Sequence, residues 1–502
     1  MKRYATASAL ALIAMAGPSF ADVTPQQVWD DLETYYANSL GYPVTATETM
    51  DGTSLVLSDI TFGVDIPEED ARVDIKMPQI TLADNGDGTV TMTLPDSAPI
   101  TVFINEDGEQ VGEVVVEMTA PSFKALISGT EASMNYDISA DQLGYTLTKL
   151  VAEGEEITRD MLRADVAMGP ISGTMSVMNS DGLRSMAQEF SYGNLTYDLA
   201  FQEPGGSDAG MFKGMLNGLS VAGETAIPTD VDFEDPTALF GSGLMIDLVM
   251  AHQGGQTDFS VTERKGTTVG KMSSDAGEFG VAFSAEQMIY AVSATALDVE
   301  LSGPELPLPI SFAMQDLGFS FELPLKKSDA PQDASISLVL AEFTMADMLW
   351  NIFDPGAILP RDPATVAANL EAKVTPYVDL ADEETYDVDV PGELNEVTLT
   401  DLVISAAGGT ILGEGAFTFD NSDLDSFDGM PRPEGQLDFQ ISGANGLIDN
   451  LITMGLLPEQ DAMGVRMMLG MFTVPGDEPD TATSSIVVNE QGHVLANGQR
   501  IK

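Results

Sequence analysis

The chain has 502 residues, with 79 Asp and Glu against 21 Lys and Arg, a formal net charge of -58. That balance excludes a nucleic-acid binder, which gathers cations to neutralise phosphates, and it opposes adhesion to an anionic membrane surface. A disordered acidic tail is excluded too, because 44% of the residues are apolar and the mean hydropathy is +0.05, enough to bury a core.

The first residues read as an export signal. Lys2 and Arg3 form a basic start, Ala5 to Ala16 is a short apolar run ended by Pro18, and Ser19-Phe20-Ala21 puts small residues where a signal peptidase cuts. Residues 1–21 are the expected leader, with cleavage after Ala21 and a periplasmic location. The apolar run is shorter than the ~20 residues of a span, and later stretches are interrupted, so no stable membrane insertion is expected. The chain has no cysteine, which removes disulfides, thiolate sites and a lipidated-cysteine anchor.

Thr24-Pro25 signals a helix start, and Val28, Trp29, Leu32, Tyr35, Tyr36 and Leu40 follow at helical spacing, with Gly41 as the stop. From about Leu55 to Leu340 the period changes to two. Segments such as Arg72 to Met77, Thr89 to Leu94, Glu113 to Met118, Gly173 to Met178 and Asn194 to Leu199 alternate apolar and polar residues. Turns such as Asp84-Asn85-Gly86-Asp87-Gly88 and Asn105-Glu106-Asp107-Gly108 separate them, the pattern of antiparallel hairpins with one buried face. No fixed-length repeat emerges. A helix is expected near Thr344 to Phe353, strands at Val397 to Ile404 and Thr410 to Phe419, and helices over Gly446 to Leu457 and Glu459 to Phe472, the second after Pro458. The tail from Ile486 to Ile501 reads as a closing hairpin.

Reaction chemistry is poorly supplied. There is no G-x-S-x-G elbow and no Ser-x-x-Lys pair, and both histidines, His252 and His493, sit beside Gly and read as solvated turn residues. Metal-ligand spacing, phosphate loops and dinucleotide fingerprints are missing, so no cofactor is expected. The acidic loops at Asp84 to Gly88, Glu153 to Glu156, Asp232 to Asp235 and Asp382 to Glu384 read as solvated turns, with weak collective calcium binding as the other reading. Trp29 and Trp350 occupy helical positions suited to core packing. Arg361, between Asp354 and Asp362, reads as an ion pair ordering a Pro-rich loop, with a lipid head group as the other reading.

Methionines cluster at the end. Leu447, Leu451, Met454, Met467, Met468, Met471 and Phe472 form a candidate apolar ligand surface, since methionine adapts to variable partners; the competing reading is that the two helices plug the core of the sheet.

Leu349-Trp350-Asn351-Ile352-Phe353-Asp354-Pro355, Leu359-Pro360-Arg361-Asp362-Pro363, Gly443 to Asp449, Gly455-Leu456-Leu457-Pro458 and Ala496 to Arg500 resemble the secreted alphaproteobacterial proteins grouped as domain of unknown function 2125. That resemblance implies no activity. Gly408-Gly409-Thr410-Ile411-Leu412-Gly413-Glu414-Gly415 is similar, more loosely, to AsmA-like envelope proteins, which implies a long β-structure with an apolar groove and a link to phospholipid traffic.

The expected fold is α+β, mainly β: a long twisted antiparallel sheet curled into a cradle, with an N-terminal helix and C-terminal capping helices. The β-rich region is placed at 22–340, and the helix-containing region at 341–502 continues the same sheet. The expected function is that of a non-enzymatic envelope protein binding lipid or another apolar ligand, or scaffolding with another envelope protein. The alternative is an extracytoplasmic hydrolase with a carboxylate-based site.

Overall fold

A computed structural model describes residues 22–39, 43–66, 71–180, 182–229, 243–381, 385, 388 and 390–502. The predicted leader, Gly41 and the acidic runs at 232–235 and 382–384 lie outside these residues.

Helix α1 (Pro25–Thr34) opens with a reciprocal cap, the Gln27 N–H donating to Thr24 Oγ1 at 3.3 Å and the Thr24 N–H to Gln27 Oε1 at 3.0 Å. The regular helix stops sooner than its apolar spacing suggested and widens into a π turn over Tyr35–Ser39. That turn seats Tyr36 edge-on against Phe62, ring centroids 4.7 Å apart, and lays Tyr35 over Arg184.

The rest is overwhelmingly β and antiparallel, as the period-two texture requires. Short strands add up to long ones. Ser54–Ile66 pairs along one edge with Ala71–Lys76 (Ile66↔Ala71) and with Ile80–Asp84 (Leu57↔Ile80) in the same register, while Val44–Asp51 occupies its other edge. Leu183–Gln202 likewise takes Leu162–Gly169 and Ile171–Ser180 on one edge and Ala209–Pro228 on the other. Between these two long strands the neighbours close a 12-strand, barrel-like circuit. The chain crosses its middle at residues 77–79, 94–96, 120–123, 141–142 and 169–170. The two walls are therefore halves of one sheet folded along a crease.

The crease runs on toward the C-terminus. Ala209–Pro228 pairs with Met245–His252 and Gly255–Glu263 in one register (Ser220↔Ala251, Leu216↔Gly255). Left-handed residues mark the line at Gly193, Gly218, Ala296 and Glu342, with φ of 57°, 56°, 49° and 52°. Gly193 is needed there, because a Cβ would lie 2.6 Å from the Gly169 carbonyl oxygen. At Ala296 the apolar alternation changes phase, from Met288, Tyr290 and Val292 to Leu297, Val299 and Leu301, as a bulged strand does. With ~4.8 Å per strand, the sheet from Ser54–Ile66 to Thr481–Val488 is on the order of 80 Å long.

The conventional core is small. Val28 and Trp29 of α1 pack on Leu55, Leu57, Leu82, Val90, Ile127, Tyr136 and Val177, at the N-terminal end of the sheet. Among the described residues, buried apolar side chains then skip from Ala226 to Leu325. The accessible surface is 28610 Å², against roughly 18,000 Å² for a compact chain of this mass. Residues outside the described set are too few to supply the difference even if counted as extended chain, at ~1.45 Å² per dalton. Much of the molecule is one sheet thick.

Three helices lie toward the C-terminus: α2 (Asp347–Phe353), α3 (Ala444–Thr453) and α4 (Glu459–Phe472). The start of α4 falls where Pro458 placed it. The expected helix ending at Leu457 stops at Thr453, with Gly455 in the left-handed region at φ 72°. The sheet passes without a break across residue 340, through Gln332–Met345 and its partner Ala364–Pro376.

Candidate functional site: the apolar side of the trough

Residues directly opposed in an antiparallel ladder share a face. Opposed pairs trace one apolar side along the sheet: Phe62↔Ile75, Val102↔Val114, Tyr145↔Met118, Val166↔Tyr197 and Leu199↔Phe212. It continues through Phe212↔Phe259, Met250↔Phe279, Val292↔Phe319, Phe319↔Leu338, Leu338↔Ala368, Val366↔Ile404, Ile411↔Ile441 and Leu437↔Ile486. Tyr290 ties the middle together, its ring 5.6 Å from Phe279 and 5.8 Å from Phe321.

This side is incompletely covered. Phe201, Met272 and Ile336 are 47%, 46% and 46% exposed, and Phe212, Met250 and Ile404 are exposed as well. Sheet faces that carry such side chains are ordinarily roofed by another layer, and exposed apolar patches of this extent mark binding surfaces.

The opposite side carries the charge. Asp165, Asp198, Lys213, Asp258, Lys271 and Glu300 stand directly opposite one another on successive strands. Asp198 is held by Arg163 at 2.7 Å and Lys213 at 3.4 Å. Burial alone would raise its carboxyl, but those two cations hold it below the ordinary range. These pairs are half-exposed, so each contributes little to stability; their effect is to keep this face in water.

At the N-terminal end α1 and the π turn after it lie in the trough and touch both walls, α1 against Tyr136 and Val177 and Tyr36 of the turn against Phe62. Asp31 reaches Arg184 in a buried two-pronged ion pair, 2.7 and 2.8 Å, and Asn179 donates to the same carboxylate at 2.7 Å. The Tyr136 hydroxyl is pushed up to about 12, first by burial and then by the Asp31 charge, with Arg184 opposing. A folded value above the ordinary 10 contributes stability that is complete below pH 10 and lost as pH rises through 12. The Tyr136→Phe variant should therefore lack a loss of about 2–3 kcal/mol between pH 10 and 12 that wild type shows in urea titrations. Identical slopes in the two proteins would refute this.

At the C-terminal end the predicted ligand surface divides. Leu447 packs over Gly409, Leu451, Met454 and Phe472 are partly buried, and the Phe472 carbonyl accepts from Ser484 and Asn497 at 2.7 and 2.8 Å. Met467, Met468 and Met471 face solvent, 73%, 52% and 59% exposed. The seven residues thus differ in exposure, four partly covered and the three methionines of α4 open to water.

Arg361 does not pair with Asp354 or Asp362 as its neighbours in sequence suggested. Its guanidinium reaches Asp347 and Asn351 on α2 and lies 5.8 Å from the Trp350 ring centroid. Asp354, fully buried, instead accepts the N–H groups of Ile358 and Leu359 at 2.9 and 3.0 Å, because a tight loop leaves those donors unpaired. Asp354→Ala should cost about 2–4 kcal/mol in chemical denaturation, two buried N–H groups losing their acceptor; a loss below 1 kcal/mol would overturn that role. Trp29 is core, as expected, its Nε1 donating to Glu48 at 3.1 Å. Trp350 is not; it lines a cavity of 190 Å³ with Phe343, Met345 and Arg361. His252 is partly buried beside the crease rather than solvated, its Nδ1 accepting the Gly254 N–H at 3.3 Å.

The Asp84–Gly88 loop satisfies its own carboxylates, Asp84 with the Gly86 N–H at 2.8 Å and Asp87 with Thr89. Among the described residues no three acids or histidines converge to hold a metal. The buried carboxylates Asp31 and Asp354 lie at different ends, each held by the contacts above.

Residues 290–498 match the family described as "Uncharacterized protein conserved in bacteria (DUF2125)". The match covers less than half of the chain. No curated protein and no solved structure matches it. The DUF2125-like part begins within Gln287–Ser302 and runs through α2, α3 and α4 to the closing hairpin, so it contains the later strands of the trough, the Trp350 cavity and the methionine helix, while the exposed Phe201, Phe212, Met250 and Met272 precede it. The α1-capped end lies outside the match. No described helix is long and apolar enough to cross a membrane.

Proposed function

We propose that this protein is an exported, non-enzymatic envelope component that binds the acyl chains of a lipid along the apolar side of its trough. One observation carries the reading: a continuous apolar alternation, half-exposed through the middle of the sheet, backed by a face of cross-strand charge pairs. The open middle of an apolar strip that runs on the order of 80 Å in all, at ~4.8 Å per strand, suits extended hydrocarbon, each buried methylene contributing about 0.8 kcal/mol. The N-terminal export pattern and the looser AsmA-like sequence similarity support the same reading. The acidic exterior supports a carrier that stays in water rather than one that spreads on an anionic bilayer.

Native mass spectrometry of protein purified from the producing cell tests this. Co-purifying lipid, or saturable binding of a fluorescent fatty-acyl probe, is expected. Absence of both would sink the proposal.

A further inference from the structure

We infer that three exposed methionines of α4, Met467, Met468 and Met471, form a binding site for a soft monovalent cation, Cu(I), held by their thioether sulfurs. This site goes beyond the acyl-chain reading and stands apart from it, since it needs no ligand in the trough.

Helix α4 sorts its apolar side chains by chemistry. Ala462 is buried, and Val465, Leu469 and Phe472 are partly buried. Its exposed large apolar side chains are Met463, Met467, Met468 and Met471, all of them thioethers. A face that served only to bury apolar area would gain as much from leucine or phenylalanine, and this helix exposes neither. What its exposed side chains share is polarisable sulfur, a neutral donor that selects Cu(I) over harder cations.

Three of the four are placed to share one ion. Met471 is four residues after Met467 and three after Met468, spacings that put Cβ atoms roughly 5–6 Å apart on a helix surface. Side chains with three rotatable bonds can turn their sulfurs onto one centre from there. Met463 is eight residues before Met471, about 12 Å along the axis, too far to join that centre. Gly464 lies one turn before the trio, three residues ahead of Met467 and four ahead of Met468, and a Cβ there would meet nothing within 4 Å. Crowding does not require glycine at that place. Its effect is to leave the helix surface bare beside the sulfurs, at a cost in helix propensity.

The surroundings favour a cation. The last turn of α4 carries no basic residue and forms the negative end of the helix dipole. Arg466, the arginine of this helix, is committed to Asp449 of α3 at 2.5 Å. Ser484 and Asn497 hold the Phe472 carbonyl, so the turn that bears Met468 and Met471 is fixed to the last strands before any ion arrives. With no cysteine in the chain, thioether is the soft sulfur ligand it has.

The test titrates the full chain with Cu(I), without oxygen, against the chromophoric chelator bicinchoninate. Wild type should bind Cu(I), Met468→Leu and Met471→Leu should each weaken that binding about tenfold or more, and Met463→Leu should leave it within about twofold. Leucine keeps the apolar volume and removes the sulfur, and these side chains are exposed, so the variants should fold as wild type does. The affinity should be equal at about pH 5.5 and about pH 7.5, because a thioether has no proton to lose on binding. X-ray absorption at the copper edge should show sulfur neighbours. No Cu(I) binding by wild type, full affinity in Met468→Leu and Met471→Leu, a loss of affinity at the lower pH, or a shell of nitrogen and oxygen alone would overturn the site. Zn(II) binding with the same dependence on methionine would overturn its softness, and an equal loss in Met463→Leu would overturn the choice of ligands. The acyl-probe measurement on the trough is separate, and either result can fail while the other stands.

Discussion

Asp31→Ala should destabilise the α1 end of the molecule by about 3–5 kcal/mol, because it leaves the Arg184 guanidinium buried without its counter-charge. The pair is 6% and 5% exposed, Arg184 Nε already lacks a partner, and the acceptor left to the guanidinium is the neutral Asn179 Oδ1, 3.3 Å from Nη1. The loss should be local before it is global. The ion pair ties α1 to the sheet, so hydrogen exchange in the variant should show α1 opening first while the strands from Gln287 onward, remote from that core, keep their protection. Asp31→Leu combined with Arg184→Leu should recover most of the loss, since removing both charges also removes their desolvation cost. A single variant that melts within 1 kcal/mol of wild type would show that Asp31 does not hold the cap.

The larger functional effect is expected from charges placed in the trough. Ile336→Glu with Leu338→Glu should weaken binding of an acyl probe by at least tenfold, since a carboxylate cannot be buried against hydrocarbon without a partner. Both residues are exposed, 46% and 37%, so the sheet should tolerate them and circular dichroism should be unchanged. Ser293→Lys is the control: it points to the opposite face, directly across from Glu278, and should leave binding as it is. Equal binding by the double variant and wild type would place the ligand elsewhere or nowhere on this sheet.

Much of the local structure was legible in the chain because it is encoded by neighbours. Thr24-Pro25 and Pro458 mark helix starts through one fixed φ and a missing N–H, and these effects act within a turn. Asn-Gly and Asp-Gly mark hairpins: Asp107-Gly108 and Asn497-Gly498 take the positive φ angles such turns require. Arg361 was misread for the opposite reason. Its partner Asp347 is fourteen residues away, and only the return of the loop across α2 brings them together. Trp350 looked like core because helical position says nothing about what lies opposite.

Composition, charge and periodicity by themselves determined that this is an acidic, cysteine-free, mainly β chain whose strands each have one apolar side. Only the tertiary structure decided that those sides join across the crease into one trough, that α1 and the C-terminal helices cover its ends, and that the middle stays open. The physical reason is that period two specifies which residues share a face, whereas what covers that face depends on contacts between strands and helices hundreds of residues apart. A buried face and an open one are written with the same alternation.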